Sequence, residues 1–208
     1  MSAKYLRVNL EDMIEAIGED KTKSILADFS CEINKDVENF IRYKAIEFSK
    51  QSIAKTQLIY FVEDGDESVT KKLVGYFSLT QKTINISRKA LSNKLSSKLS
   101  RFARFDHDKG CYVLPVILIG QIGKNYKEGC NELISGDDLL EFAFQSITLV
   151  QRYIGGKFVY LESEDKEKLV RFYAKNGFSP FGKRKLDGDE TDLYGEYLLQ
   201  WICYMGNK

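Results

Sequence analysis

GKFVYLESEDKEKLVRFYAKNGFSPF, residues 156–181, decides the reading of this chain. Residues 157–162 are rich in Val, Tyr and Leu, which predicts a buried strand. Residues 165–175 place Leu169, Phe172 and Tyr173 in a short amphipathic helix. Asn176-Gly177 then ends that helix, and Phe178 opens another strand. Tyr173 stands four residues before Gly177. A second unit of the same kind precedes it, ILIGQIGKNYKEGCNELISGDDLLEFAFQSITLVQRY, residues 117–153. Its strand belongs to an almost unbroken apolar run, 112–122, expected of a central strand covered on both faces. Its helix, 136–153, aligns Leu139, Leu140, Ala143, Ile147 and Val150 on one face.

Outward from these units the pattern continues. Asn9 is a plausible helix N-cap. Residues 35–51 put Val37, Phe40, Ile41, Ala45 and Phe48 on one stripe, which predicts a helix. Residues 56–63 and 72–79 predict an antiparallel hairpin about the turn-forming 63–68, with a short extension at 84–86. Leu91, Leu95 and Leu99, spaced by four, predict a helix over 88–102. Two last strands are expected at 179–185 and 194–204. The order is helices, β-β, helix, β-α-β-α-β-β, a mixed α/β architecture.

Composition limits the function classes. The chain has 208 residues, 43% hydrophobic and 29% charged, with a net charge of +1. That suits one globular domain and gives no global pull toward nucleic acid or anionic membrane. Cys31, Cys111, Cys130 and Cys203 form no CxxC pair, so free thiols in a reducing compartment are expected rather than disulfides or zinc. His107 is the single histidine, which excludes a multi-histidine metal centre. No apolar run suits a secretory leader or a membrane-spanning helix. A cytoplasmic protein without a metal is expected.

Together the two strand–helix units resemble the cofactor half of the GNAT N-acetyltransferase superfamily, over residues 56–204. The resemblance implies a mixed, mostly antiparallel sheet with a central splay and helices on both faces. It implies one domain over 1–208, with residues 1–55 on the acceptor side and 56–208 forming the sheet and the acetyl-CoA-binding core. In that family the strand before the main helix offers an open edge to the pantetheine arm, and the following helix N-terminus holds the pyrophosphate. The matching positions here are Gln121, Ile122, Gly123 and Lys124 at the strand end, and Ser135, Gly136, Asp137 and Asp138 at the helix start. Gly120 and Gly123 suit close approach by another chain. The family's Q/R-x-x-G-x-G/A loop is reduced to its last glycine, Gly136. Glu132 and Ile134 stand where glycines are common, and Asp137 and Asp138 would repel a phosphate that Lys124 and Lys127 would attract. Ser135-x-x-Asp138 is equally a plain capping box.

The resemblance also assigns Tyr173 as the donor of a proton to the leaving thiolate. Without the motif it is a packing residue. The oxyanion would be held by backbone amides near Ile122. Glu162, Glu164, Asp106 and His107 are candidate general bases, each equally a surface charge. The family commonly has an asparagine seven residues before the tyrosine, and here that position is Lys166. The implied activity is acetyl transfer from acetyl-CoA to the amine of a small molecule or a protein, by direct attack in a ternary complex. Two alternatives stand beside it: a toxin-type acetyltransferase acting on aminoacyl-tRNA and paired with an antitoxin, and a GNAT-fold protein that binds acyl-CoA without transfer. A homodimer is compatible with each. Residues 82–104 carry seven basic side chains (Lys82, Arg88, Lys89, Lys94, Lys98, Arg101, Arg104) and no acidic one. They form either a phosphate-binding patch or a solvated helix face.

Overall fold

A computed structural model describes residues 4–64, 69–188, 190, 192–193 and 195–206. In chain order the elements are β1 (Lys4–Asn9), α1 (Leu10–Ile17), α2 (Glu19–Ala27) and α3 (Lys35–Asn39). A π-helical turn (Phe40–Lys44) leads into α4 (Ala45–Lys50). Then follow β2 (Lys55–Asp64), β3 (Val69–Ser87), α5 (Asn93–Leu99), β4 (Arg104–Asp106), β5 (Cys111–Lys124) and α6 (Gly136–Ile154). β6 (Phe158–Glu164), α7 (Glu167–Lys175), β7 (Ser179–Lys185) and β8 (Tyr197–Tyr204) complete the chain. The eight strands are hydrogen-bonded in the order β1-β2-β3-β5-β6-β8-β7, with β4 beside β5. This is the mixed, mostly antiparallel α/β sheet that the sequence predicts.

Three elements differ from expectation. Residues 4–9 form a strand rather than a lead-in to helix, because they pair antiparallel with β2 from Lys4–Val62 to Asn9–Gln57. Asn9 still caps α1, its side chain accepting from the Glu11 amide at 2.8 Å. The helix expected over 88–102 is cut to α5. Leu91 takes an extended conformation and Ser92 caps a fresh start, accepting from the Leu95 amide. The extension at 84–86 is the tail of β3, a single strand of 19 residues. The hairpin turn lies outside the described residues at 65–68, as does the expected strand start at 194.

The chain divides into two compact units. The first comprises residues 1–80 and 119–146. In it β1, β2 and the first part of β3 form an antiparallel run, with a register shift at Ile59/Tyr60. Its core gathers Leu10, Leu26, Phe29, Phe40, Ile41, Leu58 and Tyr76. The apolar stripe of 35–50 is thereby buried, and burial of that area is what holds so short a helix pair in place.

The second unit comprises residues 81–118 and 147–208. Here β6 pairs antiparallel with β8 along its whole length, and β8 with β7. β5 meets β6 in parallel at only two pairs, Ile117–Val159 and Leu118–Tyr160. Ile86, Leu99, Leu114, Phe158, Tyr160 and Ile202 are central to its core. No helix among the described residues is long and apolar enough to cross a membrane, and no three potential metal ligands gather there.

Candidate functional site

In the first unit, β5 runs on from Ile119 to Lys124 without a ladder partner on β6 among the described residues. This stretch carries the predicted strand-end residues. Positions 121 and 123 face α3: Gln121 Nε2 donates to Asp36 Oδ2 at 2.6 Å. A Cβ placed on Gly123 would sit 2.3 Å from Val37 Cγ1. The close approach read from this glycine is therefore made by the protein's own helix. Ile122 is half-buried and brings no polar side chain, so its backbone is what it can offer. Lys124 is turned inward, its ammonium donating to the carbonyls of Asn131 at 2.8 Å and Ile134 at 3.2 Å.

Asn125 is a residue that pattern reading missed. It is buried, its Nδ2 donates to Leu73 O at 2.8 Å, and its Oδ1 accepts from the amides of Ser30 and Lys127, each at 3.0 Å. One asparagine thus ties the end of β5 to β3 and to the loop before α3. Its position just past an apolar strand is the only signal in the sequence, and asparagine is ordinary there.

The start of α6 is a closed capping box. Ser135 N and Oγ donate to Asp138 Oδ2 at 3.1 and 2.6 Å, and the Asp138 amide donates back to Ser135 Oγ at 3.0 Å. Asp137 and Asp138 are exposed, and Gly136 is half-buried. Lys127, expected to face a phosphate, pairs with Asp28 at 2.8 Å. Tyr5 fastens the same loop, donating to Leu133 O at 2.6 Å. Its pKa is raised, first by burial and then by the charge of Asp138.

In the second unit Tyr173 is buried on α7, 7% exposed, with ring contacts to Phe172, Phe178 and Trp201. Its hydroxyl forms no hydrogen bond among the described residues, and burial pushes its pKa up to about 12. The FYAKNGF stretch explains the placement. Gly177, at φ +89°, allows the left-handed turn that ends α7. The Gly177 amide donates to Ala174 O at 3.1 Å and the Phe178 amide to Tyr173 O at 3.0 Å. This is a Schellman motif, and the ring contact between Tyr173 and Phe178 is its customary apolar clasp.

On the other face of β6 and β8, away from Trp201 and Tyr173, lies a charged network that also takes in β7. Arg184 Nε donates to both Glu162 oxygens at 3.0 Å, and its other nitrogens reach Asp187 and Glu190 at 3.0 and 2.7 Å. Tyr160 OH donates to Glu162, and Gln200 Nε2 donates to Tyr160 OH at 2.8 Å. Burial raises the Glu162 pKa, but Arg184 and Tyr160 outweigh it and hold the carboxyl below its usual range. An anion so held is a poor base. Burial and the Glu162 partnership raise Tyr160 well above an ordinary phenol. Glu164 is buried with Lys166 at 2.7 Å. Asp106 Oδ1 caps its own turn, accepting from the Asp108 and Lys109 amides at 3.1 Å, and His107 rests edge-on against Phe105.

The basic segment also belongs to the second unit. Lys82, Arg88, Lys89, Lys94, Arg101 and Arg104 are exposed, and none of the seven forms an ion pair among the described residues. Elsewhere Lys35, Arg42, Lys55, Lys127, Lys166 and Arg184 each sit on a carboxylate. Lys98 and Lys82 rest instead over the rings of Tyr204 and Tyr160, at 4.7 and 5.6 Å.

No protein-family model matches the sequence, and none of the curated proteins resembles it. The structure is similar to solved ones along nearly its whole length. A bacterial toxin matches with TM-score 0.62 at 16% identity, over 98% of this chain and 92% of that one. KacT, as a tyrosine-to-phenylalanine mutant, matches with TM-score 0.58 at 14% identity, over 96% and 95%. AtaT complexed with acetyl-methionyl-tRNAfMet matches with TM-score 0.57 at 16% identity, over 94% of each chain. AtaT and KacT have the GNAT fold. Sheet order, the two-pair β5–β6 ladder and these likenesses agree: the chain has the GNAT fold.

Proposed function

We propose that this protein is a toxin-type acetyltransferase that moves an acetyl group from acetyl-CoA to the α-amine of an aminoacyl-tRNA. The observation that carries the choice of acceptor is the basic segment 82–104. It is a run of cations with no internal carboxylate and no ion pair among the described residues, as a phosphate backbone requires. The likeness to AtaT complexed with acetyl-methionyl-tRNAfMet supports the same reading.

The chemistry needs a neutral amine, a polarised thioester carbonyl and a stabilised leaving thiolate. The amine nitrogen forms the bond to the acetyl carbon, the carbon–sulfur bond breaks, and the amine proton leaves to water or a base. β5 from Ile119 to Lys124 offers its edge to the pantetheine arm, with the Ile122 amide as donor toward the carbonyl oxygen. The GNAT resemblance assigns the leaving sulfur to Tyr173, which stays protonated at neutral pH. Full transfer from a phenol at about 12 to a thiolate whose conjugate acid lies near 8.5 is uphill by about 5 kcal/mol. Tyr173 therefore acts as a donor to the thiolate more than as its final proton source. Glu162, held by Arg184, shapes the end of β6 and does not serve as the base.

The test is thiol release from acetyl-CoA with aminoacyl-tRNA, with the same tRNA uncharged, and with a panel of small amines. Release with the charged tRNA alone is expected. Neutralising Lys89, Lys94, Arg101 and Arg104, while sparing Lys98 over its ring, should remove tRNA retardation and flatten its salt dependence. The slope falls by about one counterion for each phosphate that the protein no longer neutralises. Turnover of small amines only, with no effect of the four substitutions, would move the acceptor to a small-molecule or protein amine. The overall charge of +1 favours that second reading. Donor binding without any turnover would leave a GNAT-fold binder of acyl-CoA.

A further inference from the structure

We infer that the donor site recognises the thioester and pantetheine arm and gives no grip to the phosphates of the nucleotide, because Asp138 closes the start of α6. The inference rests on the acetyl-transfer reading above and concerns which part of the donor is bound. A helix N-terminus binds phosphate through free amides and the positive end of its dipole. Here two of those amides are engaged within the chain. Ser135 N is taken by the Asp138 carboxylate, and the Asp138 amide by Ser135 Oγ. The Asp138 carboxylate also accepts from the Ser135 hydroxyl, so the cap is made in both directions.

The charges point the same way. Asp137 and Asp138 place two carboxylates in the first turn of α6. They take the favourable interaction with the dipole that a phosphate would otherwise make, and they repel a further anion. The two nearby cations are committed elsewhere: Lys124 to the carbonyls of Asn131 and Ile134, Lys127 to Asp28. From 124 to 138 the chain carries two lysines against Glu128, Glu132, Asp137 and Asp138, so two positive charges against four negative leave a net charge of −2. β5 shows no such obstruction from Ile119 to Lys124, where it has no β6 partner among the described residues. An amide-bearing arm has a strand edge to pair with; a nucleotide diphosphate has only an acidic, capped helix start.

Titration calorimetry with coenzyme A, pantetheine and adenosine 3′,5′-bisphosphate reads this directly, without turnover. Coenzyme A and pantetheine should bind within about fivefold of each other, a difference of about 1 kcal/mol, with little dependence on salt. The bisphosphate alone should give no binding. Coenzyme A binding more than about fivefold tighter than pantetheine, with affinity that falls as salt rises, overturns the inference. The paired substitutions Asp137→Asn and Asp138→Asn keep side-chain acceptors for the cap while removing both charges. They should raise the preference for coenzyme A above that limit and make it salt-dependent, and an unchanged preference in this folded variant also counts against it. If neither coenzyme A nor pantetheine binds the wild type, the acetyl-transfer reading itself falls.

Discussion

A phenol in an apolar pocket is a different reagent from a phenol in water. Tyr173, ringed by Phe172, Phe178 and Trp201, gains its high pKa from desolvation alone. Its hydroxyl can be deleted with almost no change in volume. Tyr173→Phe should therefore keep the melting temperature and donor affinity, while turnover falls by about tenfold to a thousandfold, the range over which one acid–base group operates. Steady-state kinetics beside calorimetry check this, and wild-type turnover would remove the hydroxyl from the chemistry. The same pKa shift fixes a pH dependence. Because the folded value lies above the unfolded one near 10, the stabilisation is complete below pH 10 and is lost as pH rises through about 12. Tyr76 and Tyr160 are raised by burial as well and act in the same direction. Thermal melts from pH 9 to 12 should show falling stability, with about 2–3 kcal/mol attributable to Tyr173. A flat profile would mean that the phenol is solvated in the folded state. Sequence marked Tyr173 through its neighbours Asn176-Gly177-Phe178. It could not mark Asn125, since the two hydrogen bonds that tie it to residues 30 and 73 reach distant segments and leave no local pattern.

At the scale of the element, the informative contact is α3 on the end of β5. Gly123 is small because Val37 fills the space where its side chain would stand. Gly123→Ala should destabilise the fold by about 1–3 kcal/mol, the usual cost of overfilling a packed contact. Val37→Ala in the same chain should recover part of the loss. Denaturant midpoints for the two single variants and the double variant test this, and additive losses would contradict the contact. This position also shows where reading a sequence stops. A glycine in a strand says that something approaches the backbone, not what approaches. Long periodic segments were legible: the stripe over 35–50 and the helix from Gly136 both appear, because burial of one face dominates a helix of that kind. β1 was not, since six residues carry little periodic signal and the pairing that makes them a strand comes from β2. The helix over 88–102 was drawn too long because leucines spaced by four continue the helical pattern through Ser92, whereas its hydroxyl starts the helix anew.

For the whole molecule, the order of elements carried the fold, and order survives where motifs do not. The Gly-rich loop of the resembling family is nearly gone, yet strand, helix, strand and helix follow in the expected sequence. The candidate site was less legible than the fold because a strand end offers backbone groups, which no residue type announces. The two compact units change over at residues 80/81, 118/119 and 146/147. Each of these points falls inside a regular element: β3, β5 and α6. A strand or helix does not melt at its midpoint without losing the cooperativity of both halves. Calorimetry should therefore give one transition whose van't Hoff and calorimetric enthalpies agree, and two resolved transitions would show that the units unfold separately. The interleaving has a consequence for heredity as well as for heat. No single crossover between two genes can exchange one unit and keep the other whole, because four alternating segments would need three crossovers. The half that carries β5's end and the half that carries Tyr173 are thus inherited as one piece, and a new property of either would have to arise by substitution in place.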